Sequence, residues 1–111
     1  MEQKAAVITF GPFRLLPTRR QLWKDKDPVE LRPMPLAVLT YLAQHPERVV
    51  PVEELHKAIW GNTYVSRTAI RVCVREVRQA LGDETATPRY IETVGRQGYC
   101  FIAPLSTPFQ G

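Results

Sequence analysis

Hydrophobic positions change their period twice along the chain. Up to about residue 32 they come in short runs broken by turn residues. Val7-Ile8-Thr9-Phe10 precedes Gly11-Pro12, and Phe13-Arg14-Leu15-Leu16 precedes Pro17. Runs near Gln21–Lys24 and Val29–Arg32 flank the polar Asp25-Lys26-Asp27-Pro28. Turn residues at that density exclude helices of useful length and predict an antiparallel meander. The period then becomes helical. Pro35 suits a first helical position, and Leu36, Leu39, Leu42 and Ala43 share one face until His45-Pro46. A second helix is predicted from about Pro51 to Trp60-Gly61, with Glu53 and Glu54 in its first turn and Val52, Leu55, Ala58 and Ile59 inward. Gly61–Val65 links it to a third helix, with Ser66 as N-cap and Gly82 just past the end. Finally, Tyr90-Ile91-Glu92-Thr93-Val94 and Tyr99-Cys100-Phe101-Ile102 alternate around the tip Gly95-Arg96-Gln97-Gly98, the pattern of a β-hairpin.

The third helix carries the most unusual chemistry. Arg67–Arg78 reads RTAIRVCVREVR, four arginines in twelve residues with no lysine. On a helical wheel with Arg67 at zero, Arg78, Arg71 and Arg75 follow at roughly 20, 40 and 80°, and Thr68, Gln79 and Val72 extend the arc to about 140°. Ala69, Ala80, Cys73, Val77, Ile70, Leu81 and Val74 fill the apolar arc from about 200 to 340°. Glu76, near 180°, lies off the arginine stripe and cannot neutralise most of it through i,i+4 pairing. A solvated face ordinarily mixes signs, because like charges one turn apart repel. These arginines therefore need a compensating anion, either from Glu47, Glu53 or Glu54 within the chain, or from a partner. Arginine in place of lysine suits bidentate recognition of phosphate or guanine edges. Two short helices, a linker, a longer basic helix and a hairpin together make a helix-turn-helix with a wing. In that arrangement the third helix enters the major groove of duplex DNA, and Arg96 on the wing approaches the minor groove.

Composition sharpens this picture only a little. The 111 residues fit one domain, and 44% hydrophobic residues suffice for a core without disulfides or metal. The formal charge is +4. Residues 1–65 carry nine Lys and Arg against seven Asp and Glu, and residues 66–111 carry six against four, so each part is +2. The basic character is local clustering, not a tail. Cys73 and Cys100 stand alone in apolar surroundings, at no metal-ligand spacing with His45 or His56, so a core role and no metal are expected. No run approaches the ~20 apolar residues that span a bilayer, and none resembles a signal peptide, so a cytoplasmic segment without membrane contact is expected. No nucleophile–base pair, paired carboxylates or phosphate-cradling loop suggests an enzyme. Gly95-Arg96-Gln97-Gly98 matches the GxxG loop of KH RNA-binding domains, but that loop joins two helices and this one joins two strands. The rival that remains is a winged-helix interaction module docking an acidic protein through the same arginines.

Several spaced stretches resemble the OmpR/PhoB-type winged-helix DNA-binding domain of bacterial transcriptional regulators. They are Leu31-Arg32-Pro33, Arg48-Val49-Val50, Glu54-Leu55, Ile59-Trp60-Gly61, Val65-Ser66, Val77–Asp83, Pro88–Val94 and Gly98-Tyr99-Cys100-Phe101. The likeness covers about residues 8–103. It implies an α+β fold: an N-terminal four-stranded antiparallel sheet, three helices and a C-terminal hairpin wing. It implies DNA contact by Arg67, Thr68, Arg71, Val72, Arg75, Arg78 and Gln79 on the helix, and by Thr93, Arg96, Gln97 and Tyr99 on the wing. It further implies that the 61–65 loop, with Asn62, Thr63 and Tyr64, can meet RNA polymerase. Other implications are a monomer off DNA, head-to-tail pairs on direct repeats, and no cofactor. The departures are Pro51 where a capping Ser or Thr is usual, Cys100 where an arginine is frequent, and Glu76 where a base is frequent. Glu76 should thus either accept from a cytosine N4 or repel phosphate. Residues 1–104 read as the domain and 105–111 as a linker or tail. The domain's position at Met1 suggests the ToxR/CadC-like or ATPase-linked one-component type.

Overall fold

The computed structural model describes residues 7–105, so most of the expected tail lies outside the described residues. The chain opens with a four-stranded antiparallel sheet made of β1 (Ile8–Phe10), β2 (Phe13–Leu16), β3 (Gln21–Lys24) and β4 (Asp27–Pro28), in that spatial order. Alternation decides which side faces the core. Phe13 and Leu15 are buried while Arg14 between them is exposed, as the period-two rule requires. The fourth strand departs from expectation, since it is Asp27–Pro28 and not Val29–Arg32. Pro28 pairs with Trp23 but has no N–H to extend the ladder, and past it Val29 N–H reaches back to Leu22 O at 2.8 Å.

The first helix, α1 (Pro33–Ala43), starts two residues earlier than Pro35. Pro33 takes the first turn, where a missing N–H costs nothing, and the N-cap Arg32 supplies no side-chain cap. Its buried residues are Pro35, Leu36, Val38, Leu39, Leu42 and Ala43. A two-residue strand, β5 (Val50–Pro51), then leads into α2 (Val52–Leu55). α2 does not continue as a regular α-helix. His56–Trp60 forms a π-helical turn, which Gly61 ends at φ +60°. The wider turn alters the predicted face: Leu55 is buried and Ile59 half-buried, but Ala58 is exposed. As the absence of a Ser or Thr implied, Pro51 at the α2 N-cap has no side-chain acceptor for the first N–H groups.

One cluster on the surface fastens α1 to α2. The Glu54 carboxylate accepts from Arg48 Nη1 at 3.1 Å and Nη2 at 2.7 Å, and from the Tyr41 hydroxyl. The Arg48 guanidinium, then the Tyr41 hydroxyl, hold the Glu54 carboxyl down to about 2, against an ordinary 4.5. Folding therefore favours the ionised form. The contribution is complete above about 4.5 and is lost as pH falls toward about 2. In a carboxyl-detected NMR titration, Glu54 is expected to titrate near pH 2, returning toward its ordinary value in Arg48→Ala. A midpoint near 4.5 in the folded wild-type domain would refute the cluster.

The third helix, α3 (Arg67–Leu81), precedes the hairpin β6 (Ile91–Val94) and β7 (Gly98–Phe101). β5 joins that hairpin in the order β5-β7-β6, a third strand the sequence pattern did not suggest. One core joins the first three strands, the helices and the hairpin. Phe10 sits 5.0 Å from Phe101 and 5.8 Å from Tyr90 between ring centroids, both edge-on, so the N-terminal sheet and the end of the hairpin share an aromatic cluster.

Candidate nucleic-acid interface

Both ends of α3 are fixed by the residues read from sequence. Ser66 Oγ accepts from Ala69 N–H at 3.1 Å. Gly82 takes the left-handed conformation at φ +70°, so that Asp83 N–H reaches Arg78 O at 2.8 Å and Gly82 N–H reaches Gln79 O at 3.3 Å, a Schellman stop. The apolar arc buries Ile70, Cys73, Val74, Val77 and Leu81, but Ala69 at its edge is exposed and Ala80 only half-buried. Burial pushes both thiols up, Cys73 and Cys100 alike, in keeping with core positions.

The four arginines of α3 fall into two kinds. Arg67 Nη2 donates to Glu53 Oε2 at 3.1 Å, an exposed pair between α3 and α2. Arg78 turns toward the wing, where Nη2 donates to Ile91 O at 3.0 Å and Thr93 Oγ1 at 2.7 Å, while its Nε is buried without a partner. Of the four, Arg67 alone answers an acid of the chain, the pairing with Glu53 left open by the sequence, while Arg78 is held by a carbonyl and a hydroxyl. Arg71 and Arg75 are exposed and have no partner among the described residues. Of the acids available for pairing, Glu53 takes Arg67, while Glu54 is engaged by Arg48 and Tyr41.

Arg71, Arg75, Arg78, Gln79, Thr93 and Tyr99 come together around a hollow of about 360 Å³ between α3 and the wing, joined by Asp83 and Thr85. Thr68 is exposed and Val72 half-buried on α3, outside this hollow, while Arg96 and Gln97 are exposed at the hairpin tip. Asn62, Thr63 and Tyr64 project from the α2–α3 connection, with Tyr64 84% exposed. Asp83 has a job the sequence reading did not assign. Its carboxylate accepts from the backbone N–H of Arg89 at 2.7 Å, Tyr90 at 3.2 Å and Ile91 at 3.0 Å, which seats the start of the wing against the end of α3. An acid just past a helix-ending glycine was the available signal.

Arg78 and Asp83 together hold the wing at a fixed angle to α3. Replacing Arg78 by alanine is expected to cost about 1–2 kcal/mol, the net worth of hydrogen bonds to a charged donor less the relief of its unpartnered Nε. The measurement is urea denaturation combined with amide exchange. Faster exchange confined to β6 and the hairpin tip is the expected pattern, and unchanged protection there would show that the strap is idle.

Glu76 has a partner that the helical wheel does not show. Arg32 Nε donates to Oε1 at 2.9 Å and Arg32 Nη2 to Oε2 at 2.5 Å. Hydrogen bonding by the Arg32 guanidinium holds the Glu76 carboxyl below its usual range. Both oxygens are engaged within the domain, one bond to each, so the carboxylate meets any DNA already paired with a guanidinium. The partners lie 44 residues apart, and no local pattern links them. Among the described residues there is no His, Cys, Asp or Glu cluster fit for a metal, and no helix long and apolar enough to cross a membrane.

With this geometry in hand, similarity to known proteins is informative. Residues 26–101 match the family described as transcriptional regulatory protein, C terminal. PhoB, the phosphate regulon transcriptional regulatory protein of Escherichia coli, is 33% identical over 96 residues, covering 86% of this chain and 42% of PhoB. The uncharacterised regulator YrkP of Bacillus subtilis is 25% identical over 104 residues, or 92% of this chain and 45% of YrkP. The chain thus spans less than half the length of these relatives. Among solved structures, the Klebsiella pneumoniae RstA DNA-binding domain, in complex with the RstA box, superposes with a TM-score of 0.77 at 30% identity, covering 86% of this chain and 96% of that one. The DNA-binding domain of E. coli CadC gives a TM-score of 0.78 at 25% identity, covering 95% and 98%. Fold, capped basic helix and wing agree with these matches, and the chain belongs to the OmpR/PhoB-type winged-helix family, the DNA-binding domains of transcriptional regulators.

Proposed function

We propose that this domain binds duplex DNA sequence-specifically as part of a bacterial transcriptional regulator, with α3 in the major groove and the 95–98 tip at the minor groove. The observation that carries this reading is the pair of exposed arginines, Arg71 and Arg75, without a partner among the described residues and lining the hollow between α3 and wing. In the low dielectric beside a duplex, two such guanidinium groups are best balanced by phosphates or by the O6 and N7 of guanine. Thr93 and Tyr99 supply hydroxyls at the wing wall of the same hollow. Thr68, Val72 and Gln79 extend the face along α3, with Val72 suited to a thymine methyl. Arg67 adds a cation at the first turn of α3, and Arg96 and Gln97 extend the reach of the wing. RstA bound to its box is a relative in which a domain of this fold holds DNA.

The same reading takes the exposed Asn62-Thr63-Tyr64 segment as a contact for RNA polymerase and the domain as cytoplasmic. It is monomeric off DNA and forms head-to-tail pairs on direct repeats. It assigns the domain no catalysis and no cofactor.

Fluorescence anisotropy with labelled genomic fragments, read at several salt concentrations, tests the reading. Log Kd is expected to rise linearly with log salt, by roughly 0.9 per phosphate neutralised, with a preferred sequence persisting above a weaker general affinity. Absence of binding at low salt would overturn it. Salt-sensitive binding with no preference among duplex sequences would remove sequence specificity, and an acidic protein that binds more tightly than any duplex would favour the interaction module.

A further inference from the structure

Glu76 is the one acid of α3, and the structure gives it a dedicated counter-ion from another element. Its place on the helix makes that pairing consequential. Glu76 follows Arg75, lies one turn after Val72 and three residues before Gln79, and so borders the exposed face on the side away from the wing. Arg67 and Arg78 stand at the opposite border, and Arg78 is strapped to Thr93 of the wing. An α-helix with side chains is about 10–12 Å across, and the major groove is about 12 Å wide, so both flanks of an inserted helix confront phosphate walls. A bare carboxylate on one flank would repel its wall.

We propose that Arg32, from the N-cap of α1, is a positioning residue for DNA binding. By pairing bidentately with Glu76, it neutralises the acidic flank of α3 and lets the helix seat fully in the groove. The proposal rests on the reading that α3 enters DNA. Three observations support it. Both carboxylate oxygens are engaged, by Nε and Nη2, so the charge is answered in the geometry that binds carboxylates best. Arg32 stands at a helix N-cap, where Ser, Thr, Asp or Asn would cap α1, and its guanidinium, with no acceptor, cannot cap that helix. The side chain at this position thus serves α3, not its own helix. Finally, the pair is partly open to solvent, with side chains 66% and 26% exposed, and a wholly surface pair adds little to stability. A contribution to the field presented to DNA is the larger consequence of placing it here.

The experiment uses the intact chain and the genomic fragment that the wild type prefers, with Arg32→Ala, Arg32→Gln, Glu76→Gln and the double variant Arg32→Ala/Glu76→Gln. At about 0.1 M salt, Arg32→Ala and Arg32→Gln are expected to weaken binding roughly fivefold, because the Glu76 carboxylate is left unanswered on the flank that meets phosphate. Adding Glu76→Gln removes that carboxylate and is expected to restore affinity to within about twofold of wild type. Circular dichroism confirms that the variants fold. If the double variant is as weak as Arg32→Ala, Arg32 works as a mechanical tie or touches phosphate itself, and the proposal fails. It fails equally if Arg32→Ala binds like the wild type. Carboxyl NMR without DNA reads the pair independently: the Glu76 titration is expected to move up toward the ordinary carboxylate range in Arg32→Ala. A wild type that binds no DNA, with that shift still present, would count against the DNA reading and leave the pair standing.

Discussion

Gly98→Ala is expected to destabilise the domain by about 3–5 kcal/mol, at the severe end for a single substitution. A Cβ built at Gly98 meets Val50 O at 2.0 Å and Pro51 Cα at 2.8 Å. Both atoms belong to backbone, so no side chain can swing aside. The clash sits in the ladder itself, where Pro51 pairs with Gly98 and Val50 with Tyr99. Relief demands that β5 lift from β7, which uncovers Val50 and Tyr99 and loosens the entry to α2. Domains of this size hold only about 5–15 kcal/mol in total, so the variant approaches the threshold of folding. Gly95→Ala is the control. Gly95 has φ +52° and nothing within 4 Å of an added Cβ, so it carries only the left-handed strain of about 1 kcal/mol. Urea denaturation followed by circular dichroism compares the two, and equal midpoints would show that β5 has no grip on β7.

The same glycine shows where sequence reading succeeds and where it stops. Gly98 was legible as part of a hairpin tip, because alternation on both sides and a Gly-rich turn are local signals. Its pressure against Val50 was not, because a two-residue strand has no period to detect. The order of meander, helices and wing was readable because turn residues and changes of period mark the boundaries, and the count of four strands came with the family resemblance. Ser66 and Gly82 placed α3 to the residue. Shorter features escaped. The π turn at His56–Trp60 moved Ala58 outward, and Pro28 ended the fourth strand before Val29 could join it. On the site, the wheel put the arginines on one stripe, but a wheel holds one helix only. Which arginines remain available depended on Glu53 in α2 and Thr93 in β6, and the fate of Glu76 depended on Arg32. Such partners are set by tertiary packing, which no short window of sequence contains.

That division among the arginines predicts a hierarchy for DNA binding. Arg71→Ala and Arg75→Ala are each expected to weaken affinity by about 1–3 kcal/mol where the side chain reads a base, and the double variant by roughly 100-fold or more. Each side chain that contacts phosphate should also lower the salt slope by about 0.9, whereas one that reads a base should relax preference at a single position of the site. Arg67→Ala is expected to matter far less, below roughly threefold. Its guanidinium already answers Glu53, and the exposed pair is screened by salt. Isothermal titration on the preferred duplex, repeated at two salt concentrations, ranks the three. Wild-type affinity in Arg71→Ala/Arg75→Ala would remove α3 from the interface altogether. A loss in Arg67→Ala as large as in Arg71→Ala would mean that DNA draws Arg67 away from Glu53. The test of that transfer is Glu53→Gln, which frees Arg67 in advance and should then tighten binding by about as much as the pair had withheld.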